Sequence, residues 1–192
     1  MPTPNTDALD FLLSRRSRPA KTLIGPVPDC DVITTLLTAA ARTPDHGKLE
    51  PWRFIVLEKA ALTRLSQLVA ALGAQRDLDE DQLQKAINQY ANADLAIAVI
   101  CAPKASAKVP QIEQVYSAGA ACLALLNAAL AAGWGANWLS GWASHDPQFC
   151  AAGLGLDPSE TIAGFIHIGT EKMAPPERPR PDLDAITTWV SE

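Results

Sequence analysis

Ala118-Gly119-Ala120-Ala121-Cys122-Leu123-Ala124-Leu125-Leu126-Asn127-Ala128-Ala129-Leu130-Ala131-Ala132 carries one strongly polar side chain, Asn127. A helix that is apolar all round must be covered all round. A membrane span needs about 18–20 apolar residues, and this run is shorter and mostly alanine, a weak membrane residue. Its small Ala and Gly side chains allow close backbone approach. In a chain of 192 residues, complete burial is easiest between two subunits, so the stretch predicts a central helix in a homodimer interface. Gly133-Trp134-Gly135 ends it.

Working outward, Leu95–Cys101 is the strongest strand signal, too apolar to have one solvated face. Phe54–Leu57, Ala136–Leu139 and Ile162–Ile168 read as further strands. Leu9, Phe11, Leu12 and Leu13 form a short helical stripe, and Val32, Ile33, Leu36, Leu37 and Ala40 a second, with Asp29 as its cap. Leu62, Leu65, Val69 and Leu72 mark a third helix, and Gln82–Ala91 a weaker one. Asp146-Pro147 is an N-cap and first-turn pair for a brief helix closed by Gly153. Pro175, Pro176, Pro179 and Pro181 make a stiff arm, whose tip carries Ile186, Trp189 and Val190. An extended arm with an apolar tip predicts reach over a neighbour. Residues 1–192 are expected to form one domain, with 171–192 as its arm.

The 16 Lys+Arg and 21 Asp+Glu leave a net charge of −5, which argues against nucleic acid as a partner. Cys30, Cys101, Cys122 and Cys150 are scattered in apolar contexts and form no ligand pair, as expected of buried thiols in a reducing compartment. Met1 to Asp7 has no basic and apolar leader pattern. The expectations are a cytoplasmic protein without a membrane anchor and, with His46, His145 and His167 far apart in sequence, without a metal site.

Arg15-Arg16-Ser17-Arg18-Pro19 follows the first helix, and Arg42-Thr43-Pro44-Asp45-His46 with Pro51-Trp52-Arg53-Phe54 follows the second. Guanidinium forks and a hydroxyl suit a phosphate. Cations also suit a helix C-terminus. No Gly-x-Gly-x-x-Gly fingerprint, Walker loop or His-Glu-x-x-His is present, and Ser140 lacks the Gly-x-Ser-x-Gly elbow that would make a hydrolase pair with His145.

The order of these pieces resembles the nitroreductase family of FMN-dependent oxidoreductases, in its small bacterial NAD(P)H branch. Lys108-Val109-Pro110 with Glu113, Ser117-Ala118-Gly119, Gly133-Trp134-Gly135 through Gly141, and Gly164–Thr170 extend the likeness across about Ala8 to Pro181. It implies an α+β fold with a central, mostly antiparallel sheet flanked by helices. It also implies an intertwined homodimer with C-terminal arm exchange and two FMN sites at its interface. By position, Arg15, Arg16 and Ser17 look like the phosphate and ribityl contacts. Arg42 and His46 resemble the next FMN-contacting pair, and Trp138, Leu139 and Ser140 the segment after the long helix. Ala128–Gly133 matches the stretch assigned to NAD(P). Relatives carry Arg where this chain has Leu139, a loss that Arg178 or Arg180 on the arm is positioned to offset. Glu50 stands where a neutral amide is common, and lies beside the flavin, faces solvent or pairs with Arg53 or Lys48.

The implied activity is ping-pong transfer of hydride from NAD(P)H through FMN to a nitroaromatic, quinone or similar conjugated acceptor, with no catalytic side chain named. Two other readings stay open on the same fold, a flavin-binding or trafficking protein and a flavin-modifying enzyme.

Overall fold

The computed structural model describes residues 3–192, so Met1 and Pro2, the start of the stretch read for a leader, lie outside it. In chain order the strands are β1 (Leu23–Ile24), β2 (Trp52–Glu58), β3 (Leu95–Cys101), β4 (Gly135–Leu139) and β5 (Thr161–Glu171). The helices are α1 (Thr6–Ser14), α2 (Cys30–Ala40), α3 (Lys59–Gly73), α4 (Glu80–Ala91), α5 (Gln111–Ala131) and the short α6 (Leu183–Ile186). Every pairing is antiparallel: β3 lies between β2 and β5, and β5 also pairs β4 and, at its end, β1. The fold is α+β, a five-stranded sheet between helices.

The apolar run of β3 is explained by burial on both faces. Leu95, Ile97 and Val99 point to one side, where they meet α2 and α5 through Ile33, Leu36, Cys122 and Leu125. Ala96, Ala98 and Ile100 point to the other, toward α3 and α4. The two alanines leave room there for Tyr90, Phe149 and Phe165, whose ring centroids lie 5.4–6.5 Å apart. Each fully buried leucine in these layers contributes roughly 1.5–3 kcal/mol.

Helix α5 is longer than its alanine-rich run. It begins at Gln111 because Gln114 turns inward, exchanging hydrogen bonds of 2.8 and 2.9 Å with the backbone of Lys104. By length and composition it passes for a membrane span, yet its inner face of Ala118, Ala121, Cys122, Leu125 and Ala129 sits in the core. The burial expected on all sides is not reached within one chain, since Ile112, Tyr116 and Leu123 are exposed. Leu9, Leu12 and Leu13 of α1 are exposed as well, and α1 buries no residue at all. Gly133, at φ +85°, ends α5 in the left-handed conformation common after helices.

Asp146 caps the brief helix as expected, its carboxylate accepting from Phe149 N–H at 2.8 Å. Arg76, stacked 4.7 Å over Trp142, holds the same carboxylate. Burial acts to raise its pKa, but the bonds from Phe149, Arg76 and Gln148 prevail and hold it below the usual range. Of the four thiols, Cys101 and Cys122 are buried as expected, with burial pushing Cys122 up to about 12. Against the expectation of four buried thiols, Cys30 is exposed on the first turn of α2 and Cys150 is half-buried at the edge of the second core cluster. Beyond β5 the arm is extended, and Leu183, Ile186, Trp189 and Val190 at its tip are uncovered.

Candidate functional site

The arginine cluster forms where α1 stops. Arg15 caps the helix through its backbone N–H to Phe11 O, and its guanidinium donates to Ser17 Oγ at 3.2 Å. Arg18 N–H bonds Ala136 O at 2.8 Å, and Asn137 Nδ2 donates to Arg18 O at 2.7 Å. These two bonds stitch the cluster to the strand that carries Trp138 and Leu139. The arm returns to the same place: Glu177 pairs with Arg16 and with Arg180, each at 3.0 Å. Arg180 lies close enough to Arg15 that burial first, then Arg180, Arg16 and Arg18, lower the Arg15 pKa. Among the described residues the buried Arg15 Nε has no hydrogen-bond partner. A cluster that strains its own cations and leaves one donor idle is suited to an anion.

Trp138, Leu139 and Ser140 lie in and just after β4 with different outlooks. Trp138 lies flat on Gly164, where any Cβ would collide with the indole, and donates to Ala163 O at 3.3 Å. Ser140 Oγ is 3.4 Å from His145 Nε2. Leu139 points the other way, into a cleft of about 340 Å³ between the sheet and α4. Lys21, Lys85, Asn88, Gln89 and His167 share that cleft. None of these five was predicted as a site residue. The available signal was the Lys85, Asn88, Gln89, Asn92 spacing, a polar stripe on one face of a helix that read as weak. His167 lies within the apolar run of β5. It is buried, 2% exposed, but both its ring nitrogens lack partners, as does Gln89 Nε2. Burial brings the His167 pKa down to about 4, so the ring is neutral at physiological pH.

This burial has a measurable consequence. The fold keeps His167 neutral, whereas the unfolded chain protonates it near the ordinary 6.5. Its contribution is therefore complete above pH 6.5 and is lost as the pH falls toward about 4, a change of about 3 kcal/mol. Urea titrations across this range should show the loss in the wild type and a shallower slope in His167→Leu. Equal slopes would mean that the ring is not held neutral.

Arg42 and His46 occupy a separate place. They lie in the loop after α2, where His46 Nδ1 is 2.7 Å from Glu113 Oε2 at the start of α5. Ser117 ties the loop down, donating to Pro44 O at 2.9 Å and accepting from Trp52 Nε1 at 3.1 Å. Gly47, Lys48 and Glu50 all have positive φ, which turns the chain sharply there. Glu50 is exposed, and Arg53 is engaged by Glu160 at 2.6 and 2.7 Å. The alternative pairing of Glu50 with Arg53 is thus replaced by a bidentate bond elsewhere.

The two polar clusters sit at opposite ends of α5. Glu113 marks one end, while Leu130, Gly133 and Trp134 line the depression beside Arg15, Arg16 and Arg18 at the other. The 17 residue steps from Glu113 to Leu130 span roughly 25 Å at about 1.5 Å per residue. Within one chain, a ligand of mononucleotide size does not reach both. Ala128–Gly133 forms the last turn of α5 and its cap, beside the arginine end.

A model of the nitroreductase family matches residues 22–170. The chain belongs to the nitroreductase family. Arg15–Ser17 and Arg178–Arg180 fall outside the matched span. YdjA of Escherichia coli K12, named "Putative NAD(P)H nitroreductase", is 35% identical over 87% of this chain and 90% of its own length. Among solved structures, a nitroreductase-like family protein of Bacillus cereus superposes with a TM-score of 0.79 at 21% identity, covering 99% of both chains. A Bacteroides fragilis nitroreductase with bound FMN superposes with a TM-score of 0.75 at 20% identity, covering 97% of this chain and 100% of that one. At such identities these two likenesses speak for the fold.

Proposed function

We propose that this member of the nitroreductase family is a cytoplasmic, homodimeric FMN-dependent NAD(P)H oxidoreductase. Its acceptors are nitroaromatics, quinones or similar conjugated compounds. The observation that carries this reading is the Arg15–Ser17–Arg180 corner with its idle buried donor, tied through the Arg18–Asn137 bond to the strand whose Leu139 lines a cleft with further unpartnered polar atoms. The NAD(P)H in the name of YdjA and the FMN bound by the Bacteroides protein support the choice of cofactor and donor.

The residues present fit that cofactor. Arg15, Ser17 and Arg180 would hold the phosphate. Arg180, on the arm beside Arg15, offers the guanidinium that Leu139 does not. The cleft of Lys21, Lys85, Asn88 and Gln89 would take the polar edge of the ring, where two ammonium groups favour negative charge on the reduced form. When bound, FMN would supply the redox chemistry, hydride transfer between NAD(P)H and the second substrate in ping-pong order. Neutral His167, buried beneath the cleft, would add no charge there. Trp138, held on Gly164, would steady its strand beside the cofactor.

Arg42 and His46 would complete the site from the partner subunit. A two-fold axis beside the exposed face of α5 would bring one chain's arginine end against the other's His46 end. The same pairing would cover Tyr116, Leu123 and the bare leucines of α1.

The direct test is the absorption spectrum of the purified protein supplied with FMN. Anaerobic NADH or NADPH should bleach the bound flavin, and a nitroaromatic or quinone should restore it with the flavin chemically intact. A bound flavin that neither pyridine nucleotide reduces would point to carriage. Fragmented flavin after reduction in air would point to flavin modification.

A further inference from the structure

One carboxylate already occupies the arginine corner. Glu177 Oε1 lies 3.0 Å from Arg16 Nη1 and 3.0 Å from Arg180 Nη2, and accepts a 2.9 Å bond from Arg178 N–H. A guanidinium donor from Arg16, the Arg180 guanidinium in ion-pair contact and a backbone N–H on one anionic oxygen are the partners that a phosphate oxygen would seek. Arg15, next to them, forms no ion pair among the described residues and keeps its Nε idle. The stretch Pro175-Pro176-Glu177-Arg178-Pro179-Arg180-Pro181 is stiffened by proline, which holds Glu177 three residues from Arg180 as the arm passes Arg16. Arg16 is largely covered, with a side chain 17% exposed, whereas that of Glu177 is 68% exposed and free to swing outward.

We infer that Glu177 is an internal competitor for the cofactor's phosphate, a specificity residue that lowers the affinity for FMN while leaving that for unphosphorylated riboflavin untouched. The inference rests on the FMN reading proposed above. An arriving phosphate must take Arg180 from Glu177 or share it, and in either case meets a negative charge a few ångströms away. The backbone N–H of Arg178 foremost, with Arg16 and Arg180 assisting, holds the Glu177 carboxyl below the usual range, so it stays ionised at physiological pH. The competitor is therefore permanent, and salt weakens it because the pair is exposed. The arm thus supplies both the cation that binds the phosphate and the anion that limits how tightly it is held.

The test is titration of flavin-free wild type and Glu177→Gln with FMN and with riboflavin, followed by quenching of flavin fluorescence. The variant keeps the shape and removes the charge at an exposed position, so folding is unaffected. Glu177→Gln should bind FMN roughly five- to tenfold more tightly, the change that a unit charge at about 4 Å makes in a water-like medium. Riboflavin binding should not change, and the gain for FMN should shrink at high salt. An FMN affinity that is unchanged or weaker in the variant would overturn the inference and make Glu177 a brace for Arg180. An equal gain for riboflavin would overturn it too, since the effect would then bypass the phosphate. Flavin binding to neither protein would remove the FMN reading itself, and the inference with it.

Discussion

Arg15→Ala should weaken FMN binding ten- to a hundredfold while leaving the protein folded. A hydrogen bond to a charged group contributes about 1.5–3 kcal/mol, or one to two decades in dissociation constant. Among the described residues the guanidinium has one internal bond to give up, the 3.2 Å contact with Ser17 Oγ. Its burial and its cationic neighbours already disfavour its charge, so the cofactor-free fold loses little with it. The backbone N–H that caps α1 survives the substitution. Titration with FMN, with thermal unfolding of the same samples, separates the two effects. An affinity within threefold of wild type would place the phosphate elsewhere, and a large drop in melting temperature would make Arg15 a structural residue.

The layers of the fold were legible in the sequence because burial leaves a plain mark. Leu95–Cys101 is apolar at every position since both faces of β3 are covered, and the stripes of α2 and α3 repeat at helical spacing because one side of each meets the sheet. Asp146 announced its helix by cap chemistry alone. The boundaries of α5 were not legible. Gln114 looks like a surface residue until its two bonds to Lys104 are seen, and these depend on a loop ten positions away.

The candidate site was legible in part. Local motifs marked Arg15–Ser17 and the loop of Arg42 and His46, since each sits within a few residues of its neighbours. The cleft was hidden because its members come from four places: Lys21 before β1, Lys85 to Gln89 on α4, Leu139 at the end of β4 and His167 within β5. His167 in an apolar strand is indistinguishable by pattern from a satisfied core histidine, and only its two idle nitrogens tell them apart. The pairing of Glu177 with Arg16 joins residues 161 positions apart, a separation that no local pattern reveals.

The distance between the two polar clusters bears on the burial of α5 as well. Leu125 and Leu126 belong to the chain's own core, so a charge placed there would disrupt the fold before it disrupted any dimer. The surface left for a partner is the strip of Ile112, Tyr116 and Leu123 that runs between the two ends. A second copy laid along that strip in the opposite direction would join each Arg15 to the other chain's His46, and each site would then be shared.

Mixed dimers test this sharing directly. Arg15→Ala damages one half of each site and the double variant Arg42→Ala with His46→Ala the other, so either homodimer should bind FMN poorly at both sites. When the two proteins are unfolded together, refolded and sorted by distinct affinity tags, the heterodimer should carry one site with every defect and one with none. Titration should then find one FMN per dimer at wild-type affinity. A heterodimer with no site of wild-type affinity would contradict the shared arrangement, because it would mean that each chain builds its site alone.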